Sequence, residues 1–169
     1  RGAGHTVRVH ARSPETRRRA TEDGFDCTNS IADCVTDADL VICVVLNDAQ
    51  VREACLAPDG AIAAMKPGAI LLQHTTSSPE TALMLAAAGT PRGIRVLDAA
   101  LSGGPHDIAA GRLTLWVGGD ATVLEEARNV LEIYAAPILH VGALGCGQKV
   151  KLVNNALFVA QVGLAADAI

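Results

Sequence analysis

Lys151, Asn154 and Asn155 follow a glycine-rich turn within Gly142-Ala143-Leu144-Gly145-Cys146-Gly147-Gln148-Lys149-Val150-Lys151-Leu152-Val153-Asn154-Asn155. On a helix, positions three and four apart share a face, so one ammonium and two amides project together near the helix N-terminus. The same face continues through Val150, Val153, Leu157, Ala160 and Leu164, an apolar stripe whose spacing predicts burial. A lysine beside such a stripe is partly desolvated, and the positive end of the helix dipole disfavours its charged form. Both effects lower its proton affinity, which general acid/base chemistry near neutral pH requires of a lysine. The competing reading is a surface lysine that snorkels off an amphipathic helix, with the asparagines in a polar seam.

The glycines, the lysine and the asparagine pair resemble the active-site signature of the β-hydroxyacid dehydrogenase family, which includes 3-hydroxyisobutyrate dehydrogenases and tartronate semialdehyde reductases. The family pattern is Gly-x-x-Gly-x-Gly, three residues, Lys, two residues and Asn-Asn, and every fixed position is met. The resemblance implies that Lys151 is the general acid/base, that Asn155 holds it in line with the substrate oxygen, and that Asn154 has a lesser part in substrate binding.

The elements that must position these groups follow from composition and punctuation. The 169 residues are half apolar and carry a net charge of −4 with the signs interspersed, which suits a soluble globular domain. No basic face for nucleic acid or anionic lipid emerges, and Arg17-Arg18-Arg19 reads as one solvated helical turn. Five cysteines without a Cys-x-x-Cys pair indicate neither a disulfide framework nor a zinc knuckle, and the five scattered histidines suggest no metal. Reduced thiols, the lack of a signal peptide at the start and the lack of a bilayer-length apolar run together predict a cytoplasmic protein.

Along the chain, Thr6-Val7-Arg8-Val9-His10 reads as a strand, and Ser13-Pro14 starts a helix that Gly24 ends. A short strand near Phe25 and a helix capped by Ser30 follow. Leu40-Val41-Ile42-Cys43-Val44-Val45-Leu46 is an unbroken, β-branched run, the mark of a parallel strand covered on both faces. Asn47 caps a helix, and a helical turn follows over residues 61–65. A buried strand occupies residues 69–73, Ser78-Pro79 opens another helix, and strands occupy 94–98, 113–117 and 137–141, with a helix at 120–133. Strands alternating with helices over short linkers predict an α/β fold, a Rossmann-like doubly wound parallel sheet, followed by the start of a long helix.

Such a sheet binds ligands beyond the carboxyl ends of its strands. The tip after Val9 carries Ala11, Arg12 and Ser13; an acidic residue there suits a free ribose, an arginine a ribose 2′-phosphate. Arg12 therefore favours NADP over NAD, unless it is a plain surface charge. The family resemblance extends to four further points. Ala11-Arg12-Ser13 is similar to the Asn-Arg-Ser/Thr of NADP-preferring members, with Ala11 departing from the pattern. Leu46-Asn47-Asp48 is similar to a Leu-Pro-Asp loop beside the cofactor. Thr75-Thr76-Ser77-Ser78-Pro79 resembles a Ser-Thr-x-Ser-Pro segment whose member matching Thr76 lies near the nicotinamide. Asp98-Ala99-Ala100-Leu101-Ser102-Gly103-Gly104 resembles the substrate-carboxylate loop, where Ser102 supplies a hydroxyl and Gly103 and Gly104 supply approachable amides.

A Gly-x-Gly-x-x-Gly phosphate turn after a first strand is not met by Gly2-Ala3-Gly4, because a strand follows where a helix is needed. The first strand is central in this sheet order, so its absence predicts a split sheet. The final helix reaches Ile169 within its apolar stripe. These features predict an internal piece of a longer enzyme: residues 1–147 an NAD(P)-binding domain without its phosphate loop, and 148–169 the beginning of an interdomain helix leading to a helical domain. The resemblance implies an oxidoreductase that interconverts a small-molecule β-hydroxyacid and its semialdehyde with NADP or NAD, and that the full-length protein forms homo-oligomers. The alternatives are an imine reductase-like enzyme and a non-catalytic dinucleotide-binding module on the same fold.

Overall fold

Side chains start the helices where the sequence predicts. In a computed structural model describing residues 2–168, Ser13, Ser30, Asn47, Ser78 and Asp120 each accept a hydrogen bond from a backbone N–H of the first helical turn. Such a cap satisfies a donor that would otherwise be orphaned. The helices so begun are α1 (Pro14–Glu22), α2 (Ile31–Val35), α3 (Asp48–Leu56), α5 (Pro79–Gly89) and α7 (Ala121–Leu131). Two short helices, α4 (Ala61–Ala64) and α6 (Pro105–Ala109), and the long α8 (Cys146–Asp167) complete the set.

The strands are β1 (Arg8–Val9), β2 (Asp26–Cys27), β3 (Leu40–Cys43), β4 (Ile70–Gln73), β5 (Arg95–Ser102), β6 (Leu113–Gly118) and β7 (Ala135–Gly142). They form two sheets: β1 paired in parallel with β2, and a five-stranded sheet in the order β3-β4-β5-β6-β7. The sheet is thus split between β1 and β3. A cleft of about 1240 Å³ separates β1 from β3, lined in part by Val7, Val9, Val41 and Cys43.

Alternation along the strands builds two cores. Ile70, Leu72, Leu97, Leu115 and Val117 point to the side covered by Val123, Leu124, Ala127 and Leu131 of α7. Leu71 points to the opposite side, where Val51, Cys55, Ile62 and Leu85 cover it. Each fully buried leucine contributes about 1.5–3 kcal/mol of transfer free energy, so α7 and α5 hold the sheet from opposite faces. Cys43 and Cys55 lie in this second core, and all five cysteines are free thiols.

Three expectations change. First, β5 and β6 pair antiparallel, while β6 and β7 pair in parallel. A parallel crossover needs a dozen or more residues; the link over 103–112 is shorter, and its residues coil into the unanticipated α6. Second, the stripe along α8 is not buried: Val153, Leu157 and Leu164 are 61, 60 and 71% exposed, and Ala160 is exposed as well. Only Gly147 and Gln148 of α8 are buried, because the helix meets the sheet with its first turns and then runs past it. Third, Arg17 is not part of a solvated turn. It is half-buried, and its guanidinium donates to the carbonyls of Ala11 (2.7 Å) and Arg12 (3.0 Å), bracing the tip after β1. Ile169 lies outside the described residues, as does Arg1.

Candidate active site

Period-two alternation places Asp98, Ala100 and Ser102 on one face of β5. Their cross-strand partners on β6 are Gly118, Trp116 and Thr114, and directly opposed residues share a face. This is the face that α8 packs against. Lys151 is half-buried, with its Nζ 5.8 Å from the centroid of the Trp116 ring. Burial lowers its pKa below the ordinary lysine value. Lys151 thus stands over Trp116, opposite Ala100, and Ser102 lies two residues along β5 on the same face.

The start of α8 is anchored by a residue that spacing did not single out. Asp98 is fully buried and accepts hydrogen bonds from the backbone N–H of Gly145 (2.6 Å) and of Gln148 (2.8 Å). Burial raises its carboxyl pKa, and the amide donors pull it back. The close approach requires glycine at 147: a Cβ there would collide with the Trp116 carbonyl and lie 2.8 Å from Asp98 Oδ2. Gly145 sits at φ 91°, in the left-handed region that suits glycine at the helix entry.

Gln148 is likewise fully buried and was not anticipated. Its Oε1 accepts from Ser77 N–H (2.9 Å), and its Nε2 donates to the Thr75 carbonyl (3.0 Å). Gln73 Nε2 donates to the same carbonyl (3.1 Å) and to Ser77 Oγ (2.5 Å). Thr75 Oγ1 accepts from Val45 N–H (2.8 Å) and donates to the Val45 carbonyl (3.1 Å). Between these tethered neighbours, the half-buried Thr76 has no hydrogen-bond partner for its hydroxyl among the described residues. Asn154 and Asn155 are half-buried and similarly unpartnered. The signal that could have revealed Asp98 and Gln148 is polarity at positions the strand and helix patterns bury.

Several predicted site residues have structural duties. Ser13 Oγ and Asn47 Oδ1 serve as helix caps, the latter 3.0 Å from Gln50 N. The Gly104 N–H donates to Asp107 Oδ2 (2.9 Å), and His106 and Arg112 flank that carboxylate at 3.1 and 3.7 Å. That leaves the Ser102 hydroxyl as a free donor of the Ser102-Gly103-Gly104 turn. Ala11 and Arg12 lie across the cleft on the other sheet; Arg12 is exposed, and its guanidinium makes no hydrogen bond among the described residues. Leu46, 80% exposed, stands just beyond β3. An unpaired cation, an exposed apolar side chain and an unpartnered hydroxyl at the ends of β1, β3 and β4 fit the phosphate, ring and amide groups of a nicotinamide dinucleotide. Among the described residues, no group of three His, Cys, Asp or Glu is arranged to hold a metal ion, and no helix is long and apolar enough to cross a membrane.

A mostly parallel α/β sheet with helices on both faces and a polar loop cluster at its strand ends defines a dinucleotide-binding domain of Rossmann type. Residues 1–142 match the family model described as the NAD binding domain of 6-phosphogluconate dehydrogenase, and the chain belongs to that family. It is 40% identical over 143 residues to the NAD-dependent L-serine dehydrogenase of Pseudomonas aeruginosa, covering 84% of this chain and 48% of that protein. It is 36% identical over 155 residues to the 3-hydroxyisobutyrate dehydrogenase of the same organism, covering 92% and 52%. Among solved structures, the 3-hydroxyisobutyrate dehydrogenase of Mycobacterium tuberculosis with L-serine superposes with a TM-score of 0.91 at 35% identity, over 99% of this chain and 56% of that one. The chain therefore spans about half the length of the relatives it matches, and the resemblance read from its motifs holds along that half.

Proposed function

We propose that this chain is the cofactor-binding part, with the base-bearing helix, of an oxidoreductase that interconverts a small β-hydroxyacid and its semialdehyde. The observation that carries the reading is Lys151: a half-buried amine of lowered proton affinity, over Trp116 and on the face shared with Ser102. L-serine and 3-hydroxyisobutyrate are the first substrates to test, since similar proteins carry those names. Both have a hydroxyl one carbon removed from the carbon bearing the carboxylate, so an anchor at Ser102 and Gly103 and a base at Lys151 address both ends of the molecule.

When bound along the ends of β1, β3 and β4, a nicotinamide would accept the hydride from the carbinol carbon. Neutral Lys151 takes the hydroxyl proton as that hydride departs, and its ammonium protonates the aldehyde oxygen in the reverse direction. Asn155, one turn further along the helix, holds the amine and the substrate oxygen in line, and Asn154 assists in binding. Arg12 would pair with a ribose 2′-phosphate, which favours NADP; the NAD-dependent name of the P. aeruginosa relative makes NAD the competing cofactor. The exposed apolar face of α8 suits a further helical domain and homo-oligomer formation. The free thiols suit a reducing cytoplasm.

The test is turnover of the full-length protein with NADP or NAD and a hydroxyacid panel containing both candidates, followed by reduced-nicotinamide absorbance. Lys151→Ala should lower kcat by about 10²- to 10⁴-fold, the usual contribution of a positioned general base, while cofactor affinity stays unchanged. Retained turnover in that variant would exclude the base role. Arg12→Ala should raise the KM for NADP and leave that for NAD unaltered. Reduction of cyclic imines without any hydroxyacid oxidation would move the assignment to an imine reductase, and cofactor binding without turnover to a sensing module.

A further inference from the structure

We propose that Gln148 is a positioning residue, a buried amide that locks the helix carrying Lys151 to the segment carrying Thr76. The inference rests on the oxidoreductase reading and adds to it the part that keeps the base and the hydride acceptor in register. Gln148 precedes Lys151 by three residues, so the two side chains leave the helix on one face. Its amide reads the backbone on both sides of Thr76: the N–H of Ser77 at 2.9 Å and the carbonyl of Thr75 at 3.0 Å. Its own backbone N–H ends on Asp98 Oδ2 at 2.8 Å. Three hydrogen bonds from one residue thus join α8, β5 and the loop after β4.

A polar side chain at a fully buried position is retained only when its hydrogen bonds are met, and those bonds are directional. An apolar residue of the same volume would fill the space and let the helix slide or rotate by fractions of an ångström; the planar amide, bonded at both ends, resists both motions. Thr75 and Ser77 are also held from the sheet side, by Val45 and Gln73. The loop is therefore a fixed reference, and Gln148 transmits that reference to Lys151. The unpartnered Thr76 hydroxyl faces no competing internal bond.

The experiment uses the full-length protein with its preferred cofactor, L-serine and L-serine deuterated at the carbinol carbon. Gln148→Leu should bind cofactor normally and lower kcat on the order of a hundredfold, the scale of an ångström-sized misplacement. Its deuterium isotope effect on kcat should rise as hydride transfer becomes limiting, which loss of stability alone would not produce. Gln148→Glu covers the case in which the leucine variant does not fold. As a carboxylate it repels the Thr75 carbonyl, whereas the protonated acid donates to that carbonyl and accepts from Ser77, so the ratio of its turnover to wild type should rise as pH falls. Wild-type kcat and isotope effect in Gln148→Leu, or a pH-independent ratio in Gln148→Glu, overturns the inference. With Lys151→Ala as the control, inactivity there beside a fully active Gln148→Leu overturns this inference alone, and full activity in Lys151→Ala overturns the parent reading together with it.

Discussion

Lys151 Nζ stands 5.8 Å from the centroid of the Trp116 ring. The indole covers one side of the amine and offers it a cation–π contact, and burial lowers the amine's pKa below the ordinary lysine value.

Trp116→Ala should therefore let water reach Lys151 and raise its pKa. Hydroxyacid oxidation needs the neutral amine, so the limb on which the rate climbs with pH should move to higher pH. A pH–rate profile of the variant checks this, and an unmoved or downward-moved limb would show that the ring does not control the amine.

Asp98 holds two backbone amides in a dry environment. Asp98→Ala leaves both donors unpaired, and at about 1–3 kcal/mol for each buried unsatisfied group the loss should reach about 2–6 kcal/mol. Urea unfolding measures it. Asp98→Asn keeps one acceptor and should lose less.

His74 is buried with its Nδ1–H donated to the Ala99 carbonyl (2.6 Å) and its Nε2 accepting from the Tyr134 hydroxyl (2.8 Å). That arrangement fixes the neutral tautomer, and burial lowers the imidazole pKa below its ordinary 6.5. The unfolded chain then binds more protons than the folded one, so stability is complete above pH 6.5 and falls as pH drops toward the folded value. Thermal midpoints between pH 8 and 5 should decline in the wild type and decline less in His74→Asn. Equal slopes would remove His74 as the cause.

Gly147→Ala inserts a methyl group against the Trp116 carbonyl and Asp98 Oδ2. Overpacking of this kind costs about 1–3 kcal/mol, and the helix must retreat from β5 and β6 to accept it. The variant should melt earlier and lose turnover more than cofactor affinity. Near-normal kcat would show that α8 tolerates the retreat.

Helix starts and the buried strand at 69–73 were legible in the residues because capping and apolar runs are local effects, whereas the run Leu40–Leu46, expected to be covered on both faces, ends as a strand at Cys43 and leaves Ile42 and Val44 exposed. Ser13, Ser30, Asn47 and Ser78 cap where their types and spacing say they should. The signature around Lys151 was legible because its glycines, lysine and amides stand at fixed intervals along one short stretch of chain, from the end of β7 into α8. The antiparallel pairing of β5 with β6 was not, since alternating strands and helices name no direction and only the shortness of the 103–112 link points to it.

The sequence by itself determined the alternation of elements, the family and the place of the amine at the start of the last helix, all of which follow from short-range spacing. Only the tertiary structure decided that α8 leaves its apolar stripe in solvent, that Asp107 takes the Gly104 amide, and that Asp98 and Gln148 anchor the helix. The physical reason is distance along the chain. Asp98 and Gly145, or Gln148 and Ser77, lie tens of residues apart, and a buried hydrogen bond between them exists only after the sheet has brought its strands together.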